Sequence, residues 1–149
     1  MTRAEATHAV LEAKRSSGAS WKDVAGRVGR PPVWVTAALL GQHPMSAEEA
    51  GAAGEALGLA GEVVSALQTQ PTRGSFDQLP PPDPTIYRLF EVLQVYGPTL
   101  KELIHEEFGD GIMSAINFNL AVERGEDESG AERVIITLNG KWLPYDWGS

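Results

Sequence analysis

The side chains best suited to chemistry cluster in the second half of the chain. Arg88 and Glu91 stand three residues apart in a helical pattern, so they lie about 60° apart around the axis. A guanidinium keeps its charge and offers a planar fork to paired oxygens. A carboxyl beside it can orient that fork or, when protonated, hand over a proton. By spacing alone the two read as an i, i+3 ion pair contributing about 0.2–0.5 kcal/mol. Their stripe borders an apolar face and includes Val95, so partial burial is expected. Ser114 lies between a Gly-rich turn and a strand, where a serine commonly serves the turn itself. No histidine stands at relay spacing from it, so a serine-hydrolase triad is not indicated.

Other chemistries find little support. His8, His43 and His105 are far apart in sequence. His105, with Glu102 and Glu106, reads as a charged helix face in water. There is no H-E-x-x-H and no glycine-rich phosphate loop, so neither a metal nor a nucleotide cofactor is expected. The absence of cysteine excludes disulfides and thiolate chemistry. The net charge is −8, and it is unevenly spread. Residues 1–74 hold seven basic and seven acidic side chains; residues 75–149 hold five and thirteen, which accounts for the whole −8. Neither half has the basic footprint of a nucleic-acid binder. No stretch is apolar enough to span a bilayer, and Met1–Leu11 lacks the character of a secretion signal, so a cytoplasmic protein is expected.

Two units must position these residues. Residues 1–68 predict a helical bundle: helices over 2–16, after the cap Ser20 with Asp23 three residues on, over 33–40 behind Pro31 and Pro32, over 47–57 behind Ser46, and over 60–67. Residues 69–82 are a Pro-rich linker. Residues 83–149 form the second unit. Asp83 caps a helix whose first residue is Pro84, and Gly97-Pro98 is expected to break it before a second helix over 99–108. Ile116, Phe118, Leu120 and Val122 alternate with smaller or polar residues, the pattern of a half-buried strand. An acidic loop over 126–132 follows, then a strand over 134–138, a tight turn at Asn139-Gly140 and a short return over 141–145. The class is α+β. So few elements cannot cover both faces of the strands, which points to an intertwined dimer.

Counting from Trp21, Ala25, Gly29 and Val35 occupy the small, glycine and β-branched places of a helix-turn-helix. The positions that would meet bases hold Pro31, Pro32, Val33 and Ala37, none with a side-chain donor or acceptor. The motif therefore predicts how two helices cross rather than a DNA reader. On residues alone two other readings stay open: a regulator whose C-terminal unit dimerises and binds a small acid, and an inactive oligomer.

The segment from Asp83 to Phe118, with Y-R-L-F-E at 87–91 and G-D-G-I-M-S-A-I at 109–116, resembles the core of the cyanases (cyanate hydratases, or cyanate lyases). I-T-L-N-G-K-W-L-P at 136–144 and V-T-A-A-L-L-G-Q at 35–42 are similar to theirs too. The resemblance implies a lambda-repressor-like helical domain, a small α/β unit that makes an intertwined dimer, and a decamer of five dimers. It implies decomposition of cyanate with bicarbonate as co-substrate, through carbamate, to ammonia and carbon dioxide, without a cofactor. It also implies that Arg88, Glu91 and Ser114 are catalytic, that halide or small dianions inhibit, and that neither nucleic acid nor membrane is a partner.

Overall fold

Three of the bundle's helices start where a hydroxyl and an acidic residue stand three positions apart. A computed structural model describes residues 1–74 and 78–148. In it α1 (Arg3–Ser17), α2 (Trp21–Val28) and α4 (Ala47–Leu57) open on reciprocal caps made by Thr2 with Glu5, Ser20 with Asp23 and Ser46 with Glu49. Gly18, Gly29 and Gly58 end the same three helices in the left-handed conformation. α3 (Pro32–Leu39) begins on a proline, whose missing N–H has no intrahelical partner to lose. α5 (Gly61–Leu67) completes the set. Val10, Val24, Val35, Leu39 and Leu67 are fully buried at the centre. Ala25 also enters this core, and the chain turns from α2 at Gly29 with φ +77°.

Charged side chains tie the bundle's helices together. The Arg3 guanidinium donates to the carbonyls of Ala38 (2.6 Å) and His43 (3.4 Å), and burial pulls its pKa down. Glu49 accepts from the Ser46 N–H at 2.8 Å and from Arg30 at 2.7 Å. The Ser46 backbone bond, seconded by Arg30, holds its carboxyl below the usual range.

By compactness the chain divides into Met1–Gly74 with Ala121–Ile135, and Ser75–Leu120 with Ile136–Ser149. The described residues of the Pro-rich stretch, 69–74 and 78–82, carry no helix or strand; residues 75–77 lie outside the described set.

The second half departs from expectation in three places. First, Gly97-Pro98 does not break the helix: α6 runs unbroken from Pro84 to Phe108. Pro98 forfeits the bond its N–H would make to Gln94. Gly97, lacking a Cβ, removes the side-chain part of the clash that normally drives the residue before a proline out of helical geometry. One lost bond costs less than ending one helix and nucleating another. The expected cap at its start is present, with Asp83 accepting from the N–H groups of Thr85 and Ile86, each at 2.9 Å.

Second, Asn139-Gly140 is not a turn. It lies inside β2 (Glu132–Pro144), which pairs with β1 (Gly111–Glu126) as a two-stranded sheet. The reversal falls in the acidic loop. There Asp127 accepts from the N–H groups of Ser129 (2.9 Å) and Ala131 (3.1 Å), and Gly130 takes φ +79°. Gly140 is instead a point of close approach, since a Cβ there would strike the Ser114 carbonyl and Met113.

Third, the apolar face of β1 is not half-buried within this chain. Phe118 and Leu120 are partly covered, but Ile116 is 85% exposed and Val122 is exposed as well. α6 likewise buries none of its residues. One helix and two strands lack the area to cover themselves.

Candidate active site

α6 positions the charged pair. Arg88 and Glu91 fall in its first two turns, just beyond the Asp83 cap, and the 3.6-residue period sets them side by side. The Arg88 Nη1 donates to the Glu91 Oε2 at 3.3 Å. The Arg88 side chain is 69% exposed and that of Glu91 48%, more open than their stripe suggested. The guanidinium also stands 5.8 Å from the Tyr87 ring centre.

Ser114 is differently placed. It is the fourth residue of β1 and the one buried polar side chain among the described residues. Its Oγ accepts from the backbone N–H groups of Ile116 (3.1 Å) and Asn117 (2.9 Å). The sequence placed Ser114 between a Gly-rich turn and a strand; the stretch from Gly111 on is strand, and the donors to its hydroxyl come from the residues just after it. The structure thus brings Arg88 and Glu91 together, while no hydrogen bond among the described residues joins Ser114 to either.

His105 does not behave as part of a water-facing charged surface. Its side chain is largely covered, and its Nε2 lies 3.2 Å from the Gly111 carbonyl. A carbonyl only accepts, so this contact is a hydrogen bond in the tautomer that carries the hydrogen on Nε2. Nδ1 faces the Asp110 carboxylate at 3.5 Å. The end of α6 is thereby fastened to the start of the strand that carries Ser114. Gly111 is itself wedged: a Cβ would meet the Leu143 carbonyl and Trp142 at 2.5 Å. Sequence reasoning missed these supports because His105 meets Gly111 and Asp110 only through the shape of the turn that ends α6, and Gly111 meets Trp142 and Leu143 only through the pairing of distant strands. Among the described residues no cluster of three or more His, Asp or Glu is placed to hold a metal, and no helix is long and apolar enough to cross a membrane.

A helical domain joined to a helix and a two-stranded sheet, with an arginine–carboxylate pair on the long helix and a buried serine near the start of β1, makes this a small α+β protein of two units. Two family profiles cover nearly the whole chain: "Cyanate hydratase, N-terminal" over residues 3–71 and "Cyanate lyase C-terminal domain" over residues 78–147. The cyanate hydratase of Mycolicibacterium vanbaalenii is 53% identical over 147 residues, covering 99% of this chain and 95% of that one. That of Thiobacillus denitrificans is 50% identical over 145 residues, covering 97% and 98%. The crystal structure of cyanase from T. urticae superposes with a TM-score of 0.80 at 38% identity, covering 94% of this chain and 97% of that one. The chain belongs to the cyanate hydratase family of lyases.

Proposed function

We propose that this protein decomposes cyanate with bicarbonate as co-substrate, using Arg88, Glu91 and Ser114 and no cofactor. Bicarbonate adds through oxygen to the cyanate carbon while its proton passes to nitrogen. The dianion so formed loses carbon dioxide and takes up a proton to leave carbamate. Carbamate takes up another and separates into ammonia and a second carbon dioxide. One cyanate, one bicarbonate and two protons therefore give one ammonia and two carbon dioxide molecules.

The physical difficulty is the meeting of two anions. At 4 Å and an effective dielectric near 20 they repel by about 4 kcal/mol. Arg88 supplies a compensating charge and a fork for two oxygens. Ser114 donates its O–H to an anion oxygen. Glu91 orients the guanidinium or, when protonated, delivers one of the two protons. Holding the two anions in contact and stabilising the charge they share are the effects that most accelerate such a union.

The observation that carries this reading is the Arg88–Glu91 pair at 3.3 Å together with a buried Ser114 in a chain of this family. In this reading residues 1–68 are an assembly domain whose helix-turn-helix sets how two helices cross, 69–82 a linker, and 83–149 the catalytic and dimerising domain. The uncovered faces of α6 and β1 meet those of a second copy, five such dimers make a decamer, and residues of more than one copy build each site. The enzyme works in the cytoplasm, and chloride, azide or oxalate compete for the anion position. The test is ammonia release from cyanate by the purified protein with and without bicarbonate. Release that depends on bicarbonate is expected. No ammonia, or a rate indifferent to bicarbonate, overturns it; a salt-sensitive shift of duplex DNA in its place favours a regulator.

A further inference from the structure

The two strands of the hairpin do not keep step. Counted along both strands from the turn, where the Asp127 N–H donates to the Ala131 carbonyl, Gly140 of β2 falls opposite Phe118, whose ring edge borders it, and three residues on Leu143 lies against Gly111. Over the same span β1 passes from Phe118 back to Gly111, seven residues. β1 therefore holds extra residues between these points, the signature of a bulge, a device that re-aims a side chain. Ser114 lies in that stretch. The N–H groups of Ile116 and Asn117 turn onto its Oγ, at 3.1 and 2.9 Å.

A serine hydroxyl has one hydrogen to give and two lone pairs to receive. Here both lone pairs are occupied by backbone N–H groups. What remains is the O–H, for which the described residues show no acceptor. The bulge also needs room beneath it. The Ser114 carbonyl comes so close to Gly140 that no side chain fits: a Cβ there would meet that carbonyl inside contact distance, with Met113 Cγ at 2.5 Å and Phe118 Cδ2 at 3.1 Å. Gly140 has no positive φ, so its want of a side chain serves this approach and not a turn.

We infer that Gly140 is a positioning residue for Ser114: it seats the β1 bulge, in which the N–H groups of Ile116 and Asn117 fill the lone pairs of the hydroxyl and leave it solely a hydrogen-bond donor to the substrate anion. The inference rests on the proposed role of Ser114. A hydroxyl held this way is a poor nucleophile and a good anion ligand, because two N–H bonds withdraw electron density from its oxygen and acidify its proton.

The test is a double-mutant cycle on the intact assembled protein, reading kcat/KM for bicarbonate-dependent ammonia release. Ser114→Ala is expected to lose about 100- to 1,000-fold, as when one donor to a developing anion is removed. Gly140→Ala is expected to lose at least about ten-fold alone, but less than about two-fold in the Ser114→Ala background, because its effect passes through the hydroxyl. Native mass and melting temperature are followed for each variant. Undiminished activity in Ser114→Ala overturns the reading of the site. A large loss in Ser114→Ala with a silent Gly140→Ala, or with equal Gly140→Ala losses in both backgrounds, overturns the inference alone. Should Gly140→Ala fail to assemble, residue-resolved amide exchange decides. The Ile116 and Asn117 amides are expected to exchange at least about ten-fold faster in Ser114→Ala than in the parent, and equal exchange overturns the inference.

Discussion

Replacing Arg88 by lysine separates the charge of the site from its shape. Lysine keeps the positive charge but not the planar fork, so one of two directed bonds to an anion is lost. A hydrogen bond to a charged group contributes about 1.5–3 kcal/mol, and each ~1.4 kcal/mol is ten-fold, so kcat/KM should fall about ten- to a hundred-fold. Removing the charge as well, in Arg88→Met, exposes the full repulsion of about 4 kcal/mol between the anions and should cost at least about 1,000-fold. The fold of the single chain should be indifferent to both changes. The Arg88 side chain is 69% exposed and its pair with Glu91 spans 3.3 Å, the kind of contact that contributes at most about 1 kcal/mol to stability. The assay is initial-rate ammonia release at fixed bicarbonate, with melting followed by circular dichroism on the same preparations. Parent activity in Arg88→Lys, or an activity loss tracked by an equal loss of folded protein, would refute this account of the guanidinium.

Three further outcomes are expected. Ser46→Ala removes the hydroxyl that accepts from the Glu49 N–H and should cost about 1 kcal/mol, read as a lower denaturant midpoint; an unchanged midpoint counts against the cap. The Glu49 carboxyl is depressed in the folded chain below its ordinary value of 4.5, so the unfolded chain binds the proton more readily. Its stabilising contribution is thus complete above about pH 4.5 and is lost as the pH falls through the lower folded value; Glu49→Gln should flatten that acid limb in a urea titration from about pH 6 to 3, and an unaltered slope would exclude it. Gly97→Ala, a change that ordinarily favours a helix by about 1 kcal/mol, should instead lower the melting temperature, because a Cβ before Pro98 restores the clash that glycine avoids; a rise in melting temperature refutes this.

The helical bundle was legible because its signals are local. A hydroxyl with an acidic residue three positions later, and a glycine after the last turn, fall within a few residues; Ser20–Asp23 forms as its spacing suggests, and Ser46 caps its helix as expected. Asp83 before Pro84 is of the same kind. Two of the misreadings occur where one dipeptide serves two physical ends. Gly-Pro ends most helices, but a helix can pass through it when glycine relieves the clash and one bond is given up. Asn-Gly marks tight turns through positive φ, yet at 139–140 the glycine is needed because another strand presses on it. Type and spacing set Arg88 beside Glu91 but read only as an ion pair, and it is the likeness of Y-R-L-F-E and G-D-G-I-M-S-A-I to the cyanases that singles out both of them and Ser114. The two N–H partners of Ser114 follow from a bulge, and a bulge depends on the register of β1 against β2.

Exposure of the charged pair links the proposed chemistry to the proposed assembly. In water two unit charges 4 Å apart interact by about 1 kcal/mol; at an effective dielectric near 20 the figure is about 4. An arginine as open as Arg88 is in the single chain therefore exerts only a fraction of the field needed to bring two anions together. The same helix that carries it leaves Leu93 and Val95 about 60% exposed, and β1 leaves Ile116 at 85%. Covering that apolar surface with a second copy would exclude water from the neighbourhood of Arg88 in the same step, so folding energy and catalytic field would draw on one interface. A charge placed at its centre should then remove both together. Ile116→Lys is expected to lower the native mass and abolish bicarbonate-dependent ammonia release in parallel, while an isolated chain that still turned over cyanate at the parent rate would show that Arg88 needs no such burial.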